Sequence, residues 1–387
     1  MAGVSSQQPV ADARRLLIRQ AFLSTRESTD LSRNTFATIT PSALRRNLKR
    51  VRALSDGARI MAVVKADAYG HGLKRCLPAL AEADMLAVAT MDEARAIRAL
   101  EPRAPILLLE GIMAADELEA VTRLNLEMVV HHETQLEWIE ASDHALNPRI
   151  WLKLDSGMHR LGFPLSQSQT VHARLQALDG VEEVVLMTHF ACADQSENPM
   201  NRRQIDSFDI AVKGLPGPHC LANSAALLNL PETRRDWIRA GLLLYGVSPL
   251  AGQDGPALGL EPVMTFETRL IAANDVPAGD TIGYGARFTA SREMRVGVAA
   301  IGYGDGYPRN MPDGAPVLVN GREQHLVGRV SMDMITIDLN GQPGARVGDP
   351  VLLWGQGLPV ERVAETVGTI PYELLCRVTR RVSYRER

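Results

Sequence analysis

Between residues 59 and 242 the chain repeats one pattern eight times: a short β-branched or aliphatic run, then a longer amphipathic stretch. The runs are Ile60–Val64, Leu86–Thr90, Ile106–Leu109, Glu127–Val130, Ile150–Leu154, Val184–His189, Cys220–Ala222 and Trp237–Arg239. Stretches such as Met91–Leu100, Ala115–Leu124, Thr134–Ser142 and Gln204–Lys213 carry apolar residues at helical spacing. Such alternation predicts parallel strands joined by crossover helices. Eight units close naturally into a (β/α)8 barrel, here over residues 34–262. An open doubly wound sheet is the alternative. The first helix has its own start signal, with Thr40 as a cap and Pro41 in the first helical position.

The texture changes after about residue 262. Alternating runs at Thr265–Ala272, Arg295–Ile301, Pro316–Val319 and Met334–Leu339 are separated by Pro-Ala-Gly, Asn-Gly and Gly-Asp turns. This predicts a mostly β, antiparallel domain over residues 263–387, with short helices at Val360–Val367 and Tyr372–Val378. Residues 1–33 read as a flexible extension, because Leu16-Leu-Ile18 is cut by Arg19 before a signal-peptide core can form.

Composition excludes several function classes. A net charge of -3 with no long basic run leaves a nucleic-acid footprint unsupported. No apolar run approaches the ~20 residues that cross a bilayer. Cys76, Cys192, Cys220 and Cys376 form no C-x-x-C pair, which speaks against structural zinc and a disulfide framework. A cytoplasmic protein without a metal is expected.

Functional groups of such a barrel gather where its strands end. Those positions hold Lys65, Lys153, Arg160, His189, Ser224 and Arg239. Lys65 closes the apolar run Met-Ala-Val-Val-Lys; desolvation there favours a neutral amine that can form a Schiff base, although a strand-end lysine can equally snorkel to solvent. Asn223-Ser224-Ala225 can offer amides and a hydroxyl to an anion, or simply cap a helix. Tyr284, between two glycines, is either a turn residue or an acid/base presented to a neighbouring site. The glycine-rich run at 302–307 misses the dinucleotide fingerprint, and Pro308 stands where a helix should open.

Taken in order, these runs resemble the alanine racemases. Ala62-Val-Val-Lys-Ala-Asp-Ala-Tyr-Gly-His-Gly72 is similar to that family's cofactor-lysine motif. Lys153-Leu-Asp-Ser-Gly-Met-His-Arg-Leu-Gly162, Thr188-His-Phe-Ala191, Asn223-Ser-Ala225 and Arg239-Ala-Gly-Leu-Leu-Leu-Tyr-Gly246 follow. The second domain adds Gly283-Tyr-Gly285, Gly302-Tyr-Gly-Asp-Gly-Tyr-Pro308 and Gly328-Arg-Val-Ser-Met-Asp-Met334, so the resemblance spans about residues 36–380. Ala240 and Leu242 depart from the proline and isoleucine common there, without removing a charge.

The resemblance implies a pyridoxal 5'-phosphate enzyme interconverting L- and D-alanine by a two-base mechanism, as a homodimer with shared active sites. On it, Lys65 holds the cofactor and is one base, and the partner subunit's Tyr284 is the other. Tyr69, Asn223, Ser224, the backbone at Gly241 and Leu242, and Tyr372 hold the phosphate. Arg239 bonds the pyridine nitrogen, with His189 behind the ring. Arg160 and Met332 contact the substrate, Lys153 matches a position that is often carbamylated, and Asp333 supports the entrance. Racemisation needs bases on both sides of a planar centre, and Lys65 with Tyr284 supplies two. A broader-specificity (serine) racemase, a non-catalytic cofactor carrier and a barrel decarboxylase are the alternatives. The second-domain motifs speak against a carrier and Arg239 against a decarboxylase.

Overall fold

The eight apolar runs are strands, and they close. A computed structural model describes residues 34–144 and 146–387; the flexible extension expected over residues 1–33 lies outside the described residues. The barrel strands are Arg59–Val63, Met85–Val88, Ile106–Leu108, Glu127–Val130, Arg149–Asp155, Glu183–Met187, His219–Cys220 and Trp237–Ala240. Each pairs in parallel with the next, and the eighth returns to the first with Trp237 opposite Arg59 and Ala240 opposite Ala62. This closure excludes the open sheet. Strands enclosed on both faces need apolar residues at every position, and Met85–Val88 and Ile106–Leu108 are buried throughout.

Helix signals mostly act where the sequence puts them. Thr90 and Glu93 form a reciprocal capping box at the start of the helix Met91–Leu100. Pro41 occupies the first turn of the helix Pro41–Leu54, but the side chain of Thr40 makes no capping bond. The Thr40 backbone does the work instead. Its carbonyl accepts from Ala43 and Leu44, and its N–H donates to Val263 O at 2.9 Å.

The barrel's N-terminal end is sealed by side chains at the first positions of several strands. Trp151 and Trp237 meet edge to face at 5.4 Å, with Arg59 over the Trp237 ring at 4.2 Å. Glu127 accepts from Trp151 Nε1 at 2.6 Å and from Arg149 Nη1 at 3.1 Å, and Arg149 also pairs with Glu183.

The second domain is a ring of antiparallel strands. Met264–Val276, Met294–Ala299, Ile335–Asp338, Arg322–Leu326, Pro316–Val319 and Pro350–Trp354 pair in that order, and the last returns to the first. Arg322–Leu326 and Pro350–Trp354 are additions to the strands read from sequence. The strand Phe36–Ile39 falls within the range assigned to the barrel, yet it pairs with Met264–Val276 and with Ser383–Glu386. The first described strand therefore belongs to the second sheet, and the barrel begins after it. Phe266 and Trp354 anchor this domain with ring centroids 4.5 Å apart. Among the described residues, no helix is long and apolar enough to cross a membrane.

Glu127 is the least replaceable member of the sealing network, because it is buried and removing it strands an indole N–H. Glu127→Ala should cost about 2–3 kcal/mol, whereas Glu183→Ala, on the half-exposed partner, should cost under about 1 kcal/mol. Denaturant unfolding of both variants checks the ordering.

Candidate active site

Beyond the C-terminal ends of the barrel strands lies a cavity of about 700 Å³. It brings together Lys65, Tyr69, Lys153, Arg160, His189, Asn223, Ser224, Arg239, Gly241 and Tyr372, all singled out from sequence. Four of its lining side chains are cations (Lys65, Lys153, Arg160 and Arg239), against one carboxylate, Glu110. Such a lining favours an anionic occupant.

Lys65 follows the first strand at the start of an unusual turn. Ala66, Asp67, Ala68 and Tyr69 have φ of 53, 54, 55 and 51°, all left-handed and none glycine. Left-handed backbone costs about 1–2 kcal/mol per residue, so the turn carries about 4–8 kcal/mol of strain. Its own bonds offset part of this: Ala68 N–H donates to Val64 O at 2.9 Å and Gly72 N–H to Asp67 O at 3.0 Å. The Asp67 carboxylate accepts from Leu73 N–H at 2.6 Å. His71 lies buried beneath, its Nδ1 2.9 Å from both Ala68 O and Tyr69 O. Its ring stacks on Tyr245 at 4.6 Å.

The turn delivers Tyr69 against the eighth strand's exit. Its ring packs on Tyr245 at 5.0 Å and edge-on to Tyr372 at 5.6 Å. A Cβ at position 241 would stand 2.8 Å from Tyr69 Oη, so only glycine lets the hydroxyl lie over this backbone. Gly241 N–H donates to Ser224 Oγ at 2.9 Å. Asn223 caps the helix Ser224–Asn229 by accepting from Ala226 N–H at 2.9 Å. The pair caps a helix and also lines the cavity. Together these groups form a small cradle of hydroxyls and backbone amides.

Arg239 is buried, and both of its terminal nitrogens are engaged. Its guanidinium donates to Thr188 O at 2.8 Å, Cys220 O at 2.9 Å and Leu221 O at 3.0 Å, and to His189 Nδ1 at 3.1 Å. A nitrogen that accepts from arginine carries no proton, which leaves Nε2 of His189 as the protonated position. Burial, then the charges of Arg239, Lys153, Arg160 and Lys65, hold His189 well below the ordinary histidine range. Burial also lowers Lys153 to about 8, with the charges of Arg239 and Arg160 adding to the effect. Lys153 thus loses its proton more readily than an ordinary lysine.

Four residues named from sequence lie elsewhere. Leu242 is fully buried and does not line the cavity. Tyr284 and Met332, on the second domain, are 67% and 51% exposed. Tyr284 sits on a turn between Gly283 (φ +77°) and Gly285 (φ +72°). Asp333 pairs with Arg381 at 2.5 Å, and Arg381 also reaches the buried Asp305. The backbones of Tyr303 and Gly304 donate to Ser331 O and Met332 O at 3.0 and 2.9 Å, which binds these two motifs into one surface. Other lining residues were not singled out. Glu110 directly follows the third strand, where the strand-end rule could have found it, whereas Ile370 and Cys376 arrive by packing of the second domain. Among the described residues, the four cysteines are free and no cluster of metal-ligating side chains occurs.

A (β/α)8 barrel with a cationic, lysine-bearing mouth, partly roofed by a β domain, defines a cofactor-dependent barrel enzyme of two domains. Residues 39–249 match the alanine racemase N-terminal domain and residues 263–386 the alanine racemase C-terminal domain, and the chain belongs to this family. An alanine racemase of Shewanella amazonensis is 49% identical over 354 residues, covering 90% of this chain and 97% of that protein. One from Nitrosococcus oceani is 52% identical over 348 residues, covering 89% and 97%. The biosynthetic alanine racemase of Pseudomonas aeruginosa superposes with a TM-score of 0.89 at 46% identity, covering 92% of this chain and 99% of that one. The alanine racemase of Bartonella henselae, solved with covalently bound pyridoxal phosphate, gives 0.83 at 27% identity, covering 92% and 99%.

His71 generates a pH prediction. Burial lowers its pKa to about 4, and its Nε2 has no hydrogen-bond partner among the described residues. The unfolded chain's His71 takes up a proton near pH ~6.5, while the folded one resists until about pH 4, so acid favours unfolding across that window. Stability should fall by up to about 1.4 kcal/mol per pH unit from this group between those values. His71→Asn should flatten the profile there, as measured by unfolding at a series of pH values.

Proposed function

We propose that the protein racemises alanine with pyridoxal 5'-phosphate, as a cytoplasmic homodimer in which Lys65 and the partner subunit's Tyr284 act on opposite faces of the substrate. The observation that carries this reading is the cavity itself. Lys65 opens into a space lined by four cations, beside a hydroxyl-and-amide cradle in which a side chain at position 241 would strike Tyr69. That donor set fits a phosphate, and the lysine fits covalent attachment of an aldehyde. When bound, the cofactor supplies an electron sink for the carbon that loses its proton.

The chain's own residues divide the remaining work. Tyr69, Ser224 and Tyr372, with the backbone at Gly241 and Leu242, would hold the phosphate, and Asn223 fixes the helix start that carries Ser224. Arg239 donates and never accepts, so at the ring nitrogen it would leave that atom unprotonated and moderate the sink. Its bonds to three carbonyls prevent it from swinging away. Arg160 would bind the substrate carboxylate. The free amine of Lys153 can add to carbon dioxide, losing one proton and gaining a carbamate charge that would orient Arg160. Lys65 takes or returns the proton on one face.

Tyr284 does not line the cavity of its own chain. Tyr284 and Met332 are both exposed on the surface of the β domain, and Asp333 follows Met332 in the chain. Presentation of this surface to a second barrel accounts for an exposed tyrosine held between two glycines. Met332 of the partner subunit would then border the substrate, with Asp333 of the partner subunit at the entrance.

Lys65→Ala should abolish covalent cofactor attachment. Tyr284→Phe should retain the cofactor yet slow L-to-D conversion of alanine by at least about a hundredfold, the usual value of a positioned base. D-alanine formation by purified protein, run beside serine, arginine and lysine, checks both points and the breadth of the pocket. Undiminished turnover in Tyr284→Phe would remove tyrosine from the mechanism, and comparable turnover of the larger amino acids would replace the alanine assignment with a broad one.

A further inference from the structure

The left-handed turn after Lys65 is held from outside by a residue with no place in the scheme above. Glu93 lies in the first turn of the helix Met91–Leu100, after the second barrel strand. Its Oε1 accepts from Ala66 N–H at 2.6 Å. Its Oε2 accepts from Ala89 N–H at 2.9 Å and Thr90 N–H at 3.2 Å. One carboxylate thus gathers three backbone N–H groups from two successive strand exits.

Capping explains only part of this arrangement. The reciprocal box needs the Glu93 side chain on Thr90 N–H and the Thr90 hydroxyl on Glu93 N–H, which lies at 3.3 Å. The bond to Ala66 reaches 27 residues back along the chain and contributes nothing to the cap. It falls on the first residue of the turn, whose N–H has no intraturn acceptor for the same reason that the first amides of any helix have none. The carboxylate faces the positive end of the helix dipole, and a carboxylate acceptor makes a stronger bond than a neutral one.

The geometry has a consequence at both ends of the turn. Lys65 immediately precedes Ala66, and Tyr69 closes the left-handed run with its hydroxyl over Gly241. If Ala66 relaxed to a right-handed or extended conformation, the direction of the Lys65 side chain and the position of Tyr69 Oη would change together. We infer that Glu93 is a positioning residue for the cofactor: through Ala66 it locks the left-handed turn that aims Lys65 and sets Tyr69 against the phosphate cradle. This inference rests on Lys65 being the cofactor lysine.

The test is the dissociation constant of pyridoxal phosphate, measured by fluorescence titration of the full chain stripped of cofactor, for wild type, Glu93→Ala and Thr90→Ala. Glu93→Ala should weaken retention about tenfold, the worth of one charge-assisted hydrogen bond. Thr90→Ala removes the other half of the cap without touching Ala66, and should stay within about twofold of wild type despite lost helix stability. Adding Ala66→Gly to Glu93→Ala should recover much of the loss, because glycine adopts the left-handed conformation without steric cost. The double variant also keeps the test open if Glu93→Ala alone folds poorly. Equal weakening by Glu93→Ala and Thr90→Ala would reduce Glu93 to a helix cap and overturn the inference, as would unchanged retention in Glu93→Ala. A wild-type chain that takes up no cofactor would overturn the functional reading, and this inference with it.

Discussion

The guanidinium of Arg239, buried where the sixth, seventh and eighth strands end, donates to the carbonyls of Thr188, Cys220 and Leu221 and to His189. Carbonyls at strand ends have left the ladder and, once buried, need donors. A single arginine satisfies three of them and so fixes the backbone on which the mouth is built. The same contact fixes the tautomer of His189, and the charge of Arg239 adds to the burial that lowers both His189 and Lys153. Much of the site's electrostatics therefore follows from one side chain that is also structural. Replacement by lysine would keep the charge and lose the fork that spans these acceptors.

Around this fixed point the cavity collects more positive charge than it neutralises. Like charges held in a partly desolvated space repel, and this adds to the burial that lowers Lys153 to about 8. On the proposed function, an anionic cofactor and a substrate carboxylate would relieve it further. Strain is handled similarly. The left-handed turn after Lys65 persists because its amides and carbonyls find partners on neighbouring elements, including Asp67, His71 and Tyr384, whose hydroxyl donates to Gly70 O at 2.9 Å. Rigid support of this kind brings a reactive lysine to one position instead of several.

The barrel was legible because its signal is periodic: eight apolar runs of similar length are hard to produce by chance, and all eight are strands. Most of the cavity's charged side chains were legible through the strand-end rule, which reached Lys65, Lys153, Arg160 and Arg239, along with His189 and Ser224. Other features carried no such signal. Arg322–Leu326 reads Arg-Glu-Gln-His-Leu, polar enough to pass for a loop, and becomes a strand only by pairing on both sides. Phe36–Ile39 resembles a barrel strand in composition and is captured by the second sheet. Glu93 looks like an ordinary capping glutamate until Ala66 is seen beside it, and the left-handed run at Ala66–Tyr69 contains no glycine to announce it. Tyr284 stood out through its flanking glycines and the family resemblance, while the use proposed for it depends on a surface outside its own chain.

The central claim is that one active site is built from two chains, and pairing two defective variants tests it directly. Lys65→Ala and Tyr284→Phe chains are co-expressed with different tags, and alanine racemisation is measured in the mixed dimers. A shared site predicts recovery, because one of the two sites in each mixed dimer unites an intact Lys65 with an intact Tyr284. The mixed dimers should show about half of wild-type activity, since each has one good site of two. Activity no higher than the average of the two parent variants would place both residues in the same chain's site and contradict the account.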